Sequence, residues 1–260
     1  MQDILIKHLS FGYGPERLIL EDLDLSVETG SFVCLLGPSG CGKSTFLRLL
    51  AGLEHPTSGE ITVEGKRIER PGLDRGMVFQ DYGLFPWMTA GENIMLALEQ
   101  RFPGDGKKRW KETALENIRA VGLDESVFDK LPRELSGGMK QRCAIARSFA
   151  VDPPVLLMDE PFGALDAVTR ARLQDLVLRL WAGTEPRKTV FFVTHDVDEA
   201  LLLANRILVF GQSPSRVIYD CTIPPEKRPT RETQFDDLET LKLRNTLIHQ
   251  INSDVNRRIA

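Results

Sequence analysis

Apolar and polar residues follow several patterns along the chain. From Leu23 to Val27 they alternate, which predicts a half-buried strand closed by a turn at Thr29-Gly30. Around Glu64-Gly65, the sequence EITVEGKRI predicts two short strands joined by a tight turn. GMVFQ predicts another short strand. Four further runs are apolar over most of their length, which is typical of strands buried on both faces: FVCLLG, PVLLMDE, TVFFVTH and RILVFG.

Stretches with helical spacing separate these runs. Because strands alternate with helices, the sequence predicts an α/β domain with a largely parallel sheet, to which the early hairpin-like strands add an antiparallel portion. Gly122 directly follows the helical stretch from Trp110 to Val121 and is predicted to end that helix. The apolar positions of the three helices are Phe46, Leu47, Leu50 and Leu53; Trp110, Leu115, Ile118 and Val121; and Leu173, Leu176, Val177 and Leu180.

The end of the chain has a different character. TIPPEKRPTRET is rich in proline and charge, which predicts a linker. Leu241, Ile248, Ile251 and Val255 then predict a short amphipathic helix. Such a helix can pack on its own domain, contact a twin subunit or regulate, and packing on its own domain is the commonest of these roles.

Composition narrows the class of protein. The chain has 260 residues, 42% hydrophobic and 27% charged, as globular domains do, and its net charge of -4 gives no strong attraction to nucleic acid. The N-terminus lacks the apolar run of a signal peptide and no run is long enough to span a bilayer, so we expect a cytosolic protein. Four separated cysteines argue against a metal site or a disulfide framework.

A glycine-rich stretch, GPSGCGKS, fits the pattern G-x-x-x-x-G-K-[ST] between a predicted strand and a predicted helix. Its glycines let backbone N–H groups converge on phosphate oxygens, and the helix N-terminus adds positive potential. Lys43 would neutralise phosphate charge and Ser44 would bind Mg²⁺. The alternative is a chance glycine-rich turn, against which the flanking strand and helix argue. The predicted nucleotide-binding residues are Gly37, Pro38, Ser39, Gly40, Cys41, Gly42, Lys43, Ser44 and Thr45.

Two carboxylates, Asp159 and Glu160, end the predicted strand PVLLMDE, at the edge where open α/β sheets bind ligands. Beside a phosphate loop, Asp159 would hold Mg²⁺ and Glu160 would orient and deprotonate the attacking water. The alternative is a pair of solvated charges at a strand end, and the phosphate loop favours the catalytic role.

Seven separated motifs over about residues 1–220 resemble those of the ATP-binding cassette family. LSGGMKQR, residues 135–142, is similar to the family's signature sequence. An isolated S-G-G is more often only a helix N-terminus, and a lone histidine is more often structural, so the agreement among motifs carries the resemblance. In chain order the motifs are Tyr13, the phosphate loop, Gln80, the signature, LLMDEP, GALD and VTHD.

The resemblance implies ATP and Mg²⁺ as cofactors. Tyr13 would stack on adenine, and Gln80 would join Ser44 and Asp159 at Mg²⁺ and sense the γ-phosphate. His195 would contact the γ-phosphate and keep the water in register. The catalytic residues implied are therefore Glu160, His195, Lys43 and Gln80.

A second cassette subunit is also implied, as a homodimer or a paired cassette. Ser136, Gly137 and Gly138 would approach the γ-phosphate held by that subunit, and Asp166 would couple the two sites. Two departures from the family pattern, Met139 for glutamine and Gly163 for serine, replace no residue assigned to phosphate contact.

The implied fold is of the P-loop NTPase type, with a mostly parallel sheet, an antiparallel β portion and an inserted helical subdomain at about 84–150. The nucleotide-binding domain would cover 1–222, and 223–260 would form the linker and helical extension. In this family the segment after Gln80 receives a coupling helix from a membrane-spanning permease. Packing within the subdomain is the alternative for each apolar residue that would form the cleft: Leu84, Phe85, Trp87 and Met88.

The implied function is an ATPase, peripheral on the cytoplasmic face of the cell membrane, that powers a transporter and binds no nucleic acid. LFPW and the proline-rich tail are similar to bacterial importers of nitrate, sulfonates and taurine, which use a periplasmic or extracellular solute-binding protein. One alternative is a soluble cassette ATPase of DNA repair or translation, but such proteins usually carry two cassettes or a long coiled coil. Another is an ATP-binding regulator without hydrolysis, against which Glu160 and His195 argue.

Overall fold

The computed structural model describes residues 4–14, 17–163, 165–183 and 185–257. The chain divides into two compact units, of which the first combines Met1–Gly72 with Pro186–Ala260 and the second is Leu73–Glu185. Within the described ranges, no helix combines the length and the apolar character needed to cross a membrane.

An antiparallel sheet forms the early part of the first unit, as the hairpin-like pattern predicts. Glu64 and Gly65 have φ values of 52° and 73°, the positive values that a tight hairpin turn requires. The predicted strand at Leu23–Val27 is the second half of a longer one. In the sheet order β2-β1-β4-β5, the strands are β2 (Leu18–Val27), β1 (Ile4–Gly12), β4 (Ser58–Val63) and β5 (Lys66–Arg67).

Three buried parallel strands organise the rest of this unit. Strand β3 (Phe32–Leu36) pairs in parallel with β8 (Thr189–Val193) on one side and with β9 (Arg206–Phe210) on the other. Every residue of β3 and β8 is buried, which confirms the prediction from their continuous apolar runs. Strand β10 (Val217–Thr222) pairs antiparallel with β9.

Helix α1 (Lys43–Leu50) follows β3, and α6 (Val197–Leu203) follows β8. The prediction that the first helix extends to Leu53 is wrong. Gly52 has a φ of 73° and breaks the helical conformation, and Leu53 lies beyond it with 41% of its surface exposed.

The second unit contains a parallel strand pair, β6 and β7, and four α-helices among its described residues. Gly122, with φ of 69°, ends α3 as predicted: its N–H bonds the carbonyl of Arg119 and the next N–H bonds the carbonyl of Ile118. The predicted apolar face of α5 is buried at Leu173, Leu176 and Val177. The elements are β6 (Arg75–Val78), α2 (Ala90–Arg101), α3 (Gly106–Ala120), α4 (Gly137–Ala150), β7 (Val155–Asp159) and α5 (Ala167–Ala182).

The C-terminal helix α7 (Leu238–Arg257) packs on the first unit, as predicted for an amphipathic helix. Arg244 Nε donates to Asp198 of α6 at 2.6 Å, and Asp254 accepts the Gln212 N–H at 2.7 Å. Leu247, which the sequence analysis did not single out, is the fully buried apolar residue of this helix.

The predicted linker is held against α6. It contains a 3₁₀ turn at Pro225–Lys227, after which the largely buried guanidinium of Arg228 donates to the carbonyl oxygens of Leu202 and Leu203. These carbonyls end α6, where a cation is favourable to the helix dipole.

On the antiparallel sheet, His8 lies beside two carboxylates. Its Nδ1 is 3.1 Å from Asp22 and 3.3 Å from Asp24, and the hydrogen bond to Asp22, followed by the charge of Asp24, raises the pKa of His8. The charged imidazole therefore stabilises the fold below about pH 6.5, the unfolded value, and this contribution is lost as pH rises through the higher folded pKa.

We expect a proton NMR titration to place the pKa of His8 above 6.5, the ordinary value of the group. Asp22→Asn should lower it, whereas Asp129→Asn, which removes a carboxylate from the other unit, should leave it unchanged. Equal pKa values in wild type and Asp22→Asn would show that this contact does not persist in solution.

Candidate nucleotide-binding and active site

The glycine-rich loop directly follows β3 and leads into α1. Gly37, Gly40 and Gly42 have φ values of 144°, 77° and 106°, which favour glycine over residues with a side chain. A Cβ built on Gly37 would collide with the carbonyl oxygen of Phe210. Gly42 is the N-cap of α1 and offers no side chain, so the first backbone N–H groups of the helix are available to an anion.

Lys43 lies beneath this loop with only 5% of its surface exposed. Its Nζ donates to the carbonyl oxygens of Gly37 and Pro38 at 2.8 and 2.9 Å, which ties the ammonium across the loop. Burial raises the pKa of the neighbouring Cys41 thiol although Lys43 acts in the opposite direction. The thiol is therefore neutral at physiological pH and does not oppose an incoming phosphate.

The other predicted loop residues lie on both sides of the buried lysine. Ser39 and Gly40 are exposed at the loop, and Ser44 is exposed on the first turn of α1, beside the half-buried Thr45. An exposed hydroxyl at the helix start is suited to a ligand bound at the loop.

His195 follows β8, the strand that pairs in parallel with β3. Since the Thr194 N–H bonds the Leu35 carbonyl at 3.3 Å, the exposed His195 and the glycine loop follow neighbouring strand ends. Asp196 caps α6 by accepting the N–H groups of Asp198 and Glu199. The first unit thus brings the loop and the predicted histidine to one sheet edge.

Gln80, Asp159 and Glu160 belong to the second unit. Asp159 is the buried last residue of β7, and Glu160 follows it with a φ of 44°. Gln80 lies just beyond Val78, which pairs with Met158 in the parallel β6–β7 ladder. The three predicted residues therefore lie at or just after the carboxyl ends of two adjacent strands, where α/β proteins bind ligands.

The signature sequence begins α4. Ser136 is its N-cap and accepts the Met139 N–H at 3.3 Å. A Cβ built on Gly138 would lie 3.3 Å from Leu165, so the second glycine allows close packing there. Asp166 caps α5 by accepting the N–H groups of Val168 and Thr169, and the Thr169 bond is the main reason why the pKa of Asp166 is lowered.

Arg147 is a site residue that the sequence analysis missed. It lies on the same face of α4 as the buried Cys143, and its guanidinium donates to the carbonyls of Gly83 at 2.6 Å and Tyr82 at 3.4 Å. The signature helix is thereby tied to the segment that follows Gln80. A charged residue on an otherwise apolar helix face is the signal that could have indicated it, because a buried charge needs a partner.

The apolar segment after Gln80 is partly buried. Leu84 and Met88 are half-buried, whereas Phe85 and Trp87 are 39% and 72% exposed, with ring centroids 5.5 Å apart. The buried Asn93 fixes the segment by accepting the Phe85 N–H at 2.7 Å and donating to three carbonyl oxygens there. The two rings are therefore presented by a rigid turn.

Tyr13, predicted to stack on adenine, lies just beyond β1 and is 62% exposed. Its ring packs edge-on against Phe11, with centroids 4.9 Å apart. This contact orients the tyrosine and leaves much of its surface accessible to a planar ligand.

A glycine loop between a buried parallel strand and a helix, with a lysine beneath it, defines a P-loop nucleotide-binding protein of the α/β class. The predicted fold class is confirmed. The family model described as ABC transporter matches residues 20–163, and the chain belongs to this family.

Relatives and solved structures agree with this membership. The chain is 45% identical to the bicarbonate transport ATP-binding protein CmpD of Synechococcus elongatus, over 87% of this chain and 81% of that protein. It is also 45% identical to the nitrate import ATP-binding protein NrtD of the same species, over 89% of this chain and 83% of that protein.

A solved dimeric structure, the ATP-binding cassette MJ0796 bound to ADP and phosphate, shares the fold. Its TM-score is 0.76 at 32% identity, covering 85% of this chain and 99% of the other. The predictions of an ATPase subunit of a membrane transporter and of ATP as its ligand are confirmed, and the alternative in DNA repair or translation is not favoured.

Proposed function

We propose that this chain hydrolyses ATP to power the import of a small oxyanion, of which nitrate and bicarbonate are the first candidates. The observation that carries the choice of solute is the 45% identity to proteins named for nitrate import and bicarbonate transport. Sulfonates and taurine, suggested by the LFPW sequence and the tail, are the next candidates.

The phosphates of ATP bind the loop from Gly37 to Thr45 in this proposal. Backbone N–H groups at the start of α1 hold phosphate oxygens, and Lys43 offsets their charge. The donor set fits Mg²⁺ because Ser44, Gln80 and Asp159 all offer oxygen atoms, the ligands that this ion prefers. When bound, Mg²⁺ neutralises charge on the β- and γ-phosphates.

Hydrolysis uses Glu160 as the general base, which takes a proton from the attacking water. His195 holds the γ-phosphate and the water in register, and Gln80 senses the γ-phosphate. Tyr13 stacks on adenine. These roles rest on strand-end positions and on the family motifs.

A second cassette completes each ATP site. Ser136, Gly137 and Gly138 present the start of α4 to the γ-phosphate bound by the other subunit, as a helix N-terminus can. Asp166 couples the two sites from the start of α5. The solved MJ0796 cassettes are dimeric, which supports a paired arrangement.

The permease docks on the aromatic segment, with Leu84, Phe85, Trp87 and Met88 in the cleft. Exposed aromatic residues on a rigid turn suit the core of an interface. The subunit then lies on the cytoplasmic face of the membrane and meets the solute-binding protein only through the permease. The domain division proposed is 1–222, including a helical subdomain at about 84–150, followed by the extension at 223–260.

Trp87→Ala should leave ATP binding intact and lower the amount of permease that co-purifies with the subunit at least about tenfold, because it removes a large apolar anchor. Phe235→Ala is the control, since Phe235 is 56% exposed but lies near the C-terminus. Quantitative mass spectrometry after affinity purification in mild detergent measures both. Unchanged co-purification of the Trp87 variant would remove this docking surface.

The solute is tested in proteoliposomes that contain the subunit, its co-purified permease and the associated solute-binding protein. ATP hydrolysis should rise with nitrate or bicarbonate and remain at its basal rate with uncharged solutes of similar size. Stimulation by taurine alone would move the proposal to the sulfonate group. Stimulation only by an uncharged solute would overturn the choice of an oxyanion.

A further inference from the structure

A cavity of about 370 Å³ lies in the second unit, and all of its lining residues belong to that unit. It is open to solvent and is lined by the C-terminal end of α3, by Arg142 of α4 and by residues of α5, and its volume is that of a site for a small organic molecule. None of the side chains that carry its charge has a role in the proposed hydrolysis. Those side chains are Arg119, Arg142, Arg172, Arg179 and Asp175.

The side chains that line this cavity carry an excess of positive charge. Four guanidinium groups, which stay charged at any physiological pH, face a single lining carboxylate, that of Asp175. The chain as a whole carries a net charge of -4, so this local excess runs against the overall balance. Such a concentration of arginine in one concave site favours an anionic ligand.

The four arginines differ in what already holds them. Arg119 contacts Glu125 at 2.6 Å, and Arg142 donates to the carbonyl oxygens of Gly122 and Gly138. Within the part of the chain that the structure describes, the side chains of Arg172 and Arg179 have no hydrogen-bond or ion-pair partner. These two lie seven positions apart on α5, so they face the cavity together and retain their donors for a ligand.

We propose that this cavity binds a small phosphorylated metabolite, with Arg172 and Arg179 as the principal contacts to its phosphate. A monovalent anion would offset only part of the local charge, whereas a phosphate monoester carries up to two negative charges and accepts paired bonds from arginine. The volume exceeds that of a single tetrahedral anion and leaves room for an organic group. The proposal is independent of the solute that the transporter carries.

Arg142 connects this cavity to the signature sequence. Arg142 Nε donates to the carbonyl of Gly138 at 3.3 Å, and its Nη1 holds Gly122 at 3.0 Å. A phosphate that engages Arg142 competes for these donors. The occupied cavity therefore acts on the first turn of α4, the part of the chain proposed to meet the second subunit's ATP.

The test is isothermal titration of inorganic pyrophosphate into the full chain at about 0.15 M salt, with ADP at saturation to occupy the glycine loop. We expect one saturable site per chain, weakened at least about tenfold in R172A/R179A. K108A/R109A removes the same charge from the exposed side of α3, outside the cavity, and should change the affinity less than about twofold.

Asp175→Asn provides a second variant whose effect has the opposite sign. It removes the carboxylate that lines the cavity, so pyrophosphate should bind more tightly, a gain that a damaged fold does not produce. Absence of saturable binding, or equal losses in R172A/R179A and K108A/R109A, would overturn the proposal. Because ADP fills the nucleotide site throughout, a failure here leaves the proposed ATPase function untouched.

Discussion

Glu160→Gln should abolish steady-state ATP turnover, lowering kcat at least about 100-fold, while ATP still binds. Glutamine keeps the size of the side chain and its place after β7 but cannot accept a proton from water at neutral pH. Binding depends on the glycine loop and Lys43, which this substitution does not alter. A phosphate-release assay measures turnover, and titration with a fluorescent ATP analogue measures affinity.

Glu99→Gln is the matched control, because Glu99 is an exposed residue of α2 in the same unit. It should leave both measurements unchanged. If the Glu160 variant retained wild-type turnover, another group would have to be the base. If wild type showed no turnover with its permease present, the chain would be an ATP-binding regulator, the reading against which Glu160 and His195 argue.

Gly37→Ala should lower the free energy of unfolding by about 3–5 kcal/mol and prevent tight ATP binding. At a φ of 144°, a Cβ is strained before any contact is considered, and here it would also collide with the Phe210 carbonyl and lie 3.1 Å from Cys41 Sγ. The loop has to shift, and its carbonyl bond to Lys43 shifts with it. Such a loss is a large fraction of the stability of an ordinary domain.

Gly40→Ala measures the cost of backbone strain alone in the same loop, without a collision of the added Cβ. Gly40 has a φ of 77°, and no neighbouring atom lies within 4 Å of a Cβ built there. We expect a cost of about 1–2 kcal/mol, from the left-handed conformation alone. Urea unfolding without nucleotide measures both variants, and equal losses would mean that the collision at Gly37 is relieved at no cost.

Features that depend on neighbours in sequence were predictable. A strand buried on both faces needs a continuous apolar run, so β3, β7, β8 and β9 could be located from the sequence. The hairpin at Glu64-Gly65 and the helix end at Gly122 were predictable for a similar reason, since each contains a glycine, the residue that adopts positive φ most readily. The glycine loop combines both kinds of signal.

The end of α1 is a local feature that the apolar spacing obscured. Gly52 ends this helix with the same pair of backbone hydrogen bonds by which Gly122 ends α3, so the glycine was the signal that Leu53 lies outside the helix.

Features that depend on distant contacts were not predictable. The amide of Asn93 satisfies three carbonyl groups of the aromatic segment, and no local pattern distinguishes it from an ordinary helix residue. Arg147 likewise acquires its role from Tyr82 and Gly83, more than sixty positions away.

The contacts of the C-terminal helix have a consequence for how the chain can be shortened. Arg244 pairs with Asp198 at the start of α6, and Arg228 donates to the carbonyl oxygens at the end of the same helix. Residues beyond Thr222 therefore contact both ends of the helix that follows His195. Removing these residues would break the contacts at both ends of α6 and expose the apolar surface on which Leu247 packs. A minimal cassette that ends where the family's motifs end would therefore have lost part of its own scaffold.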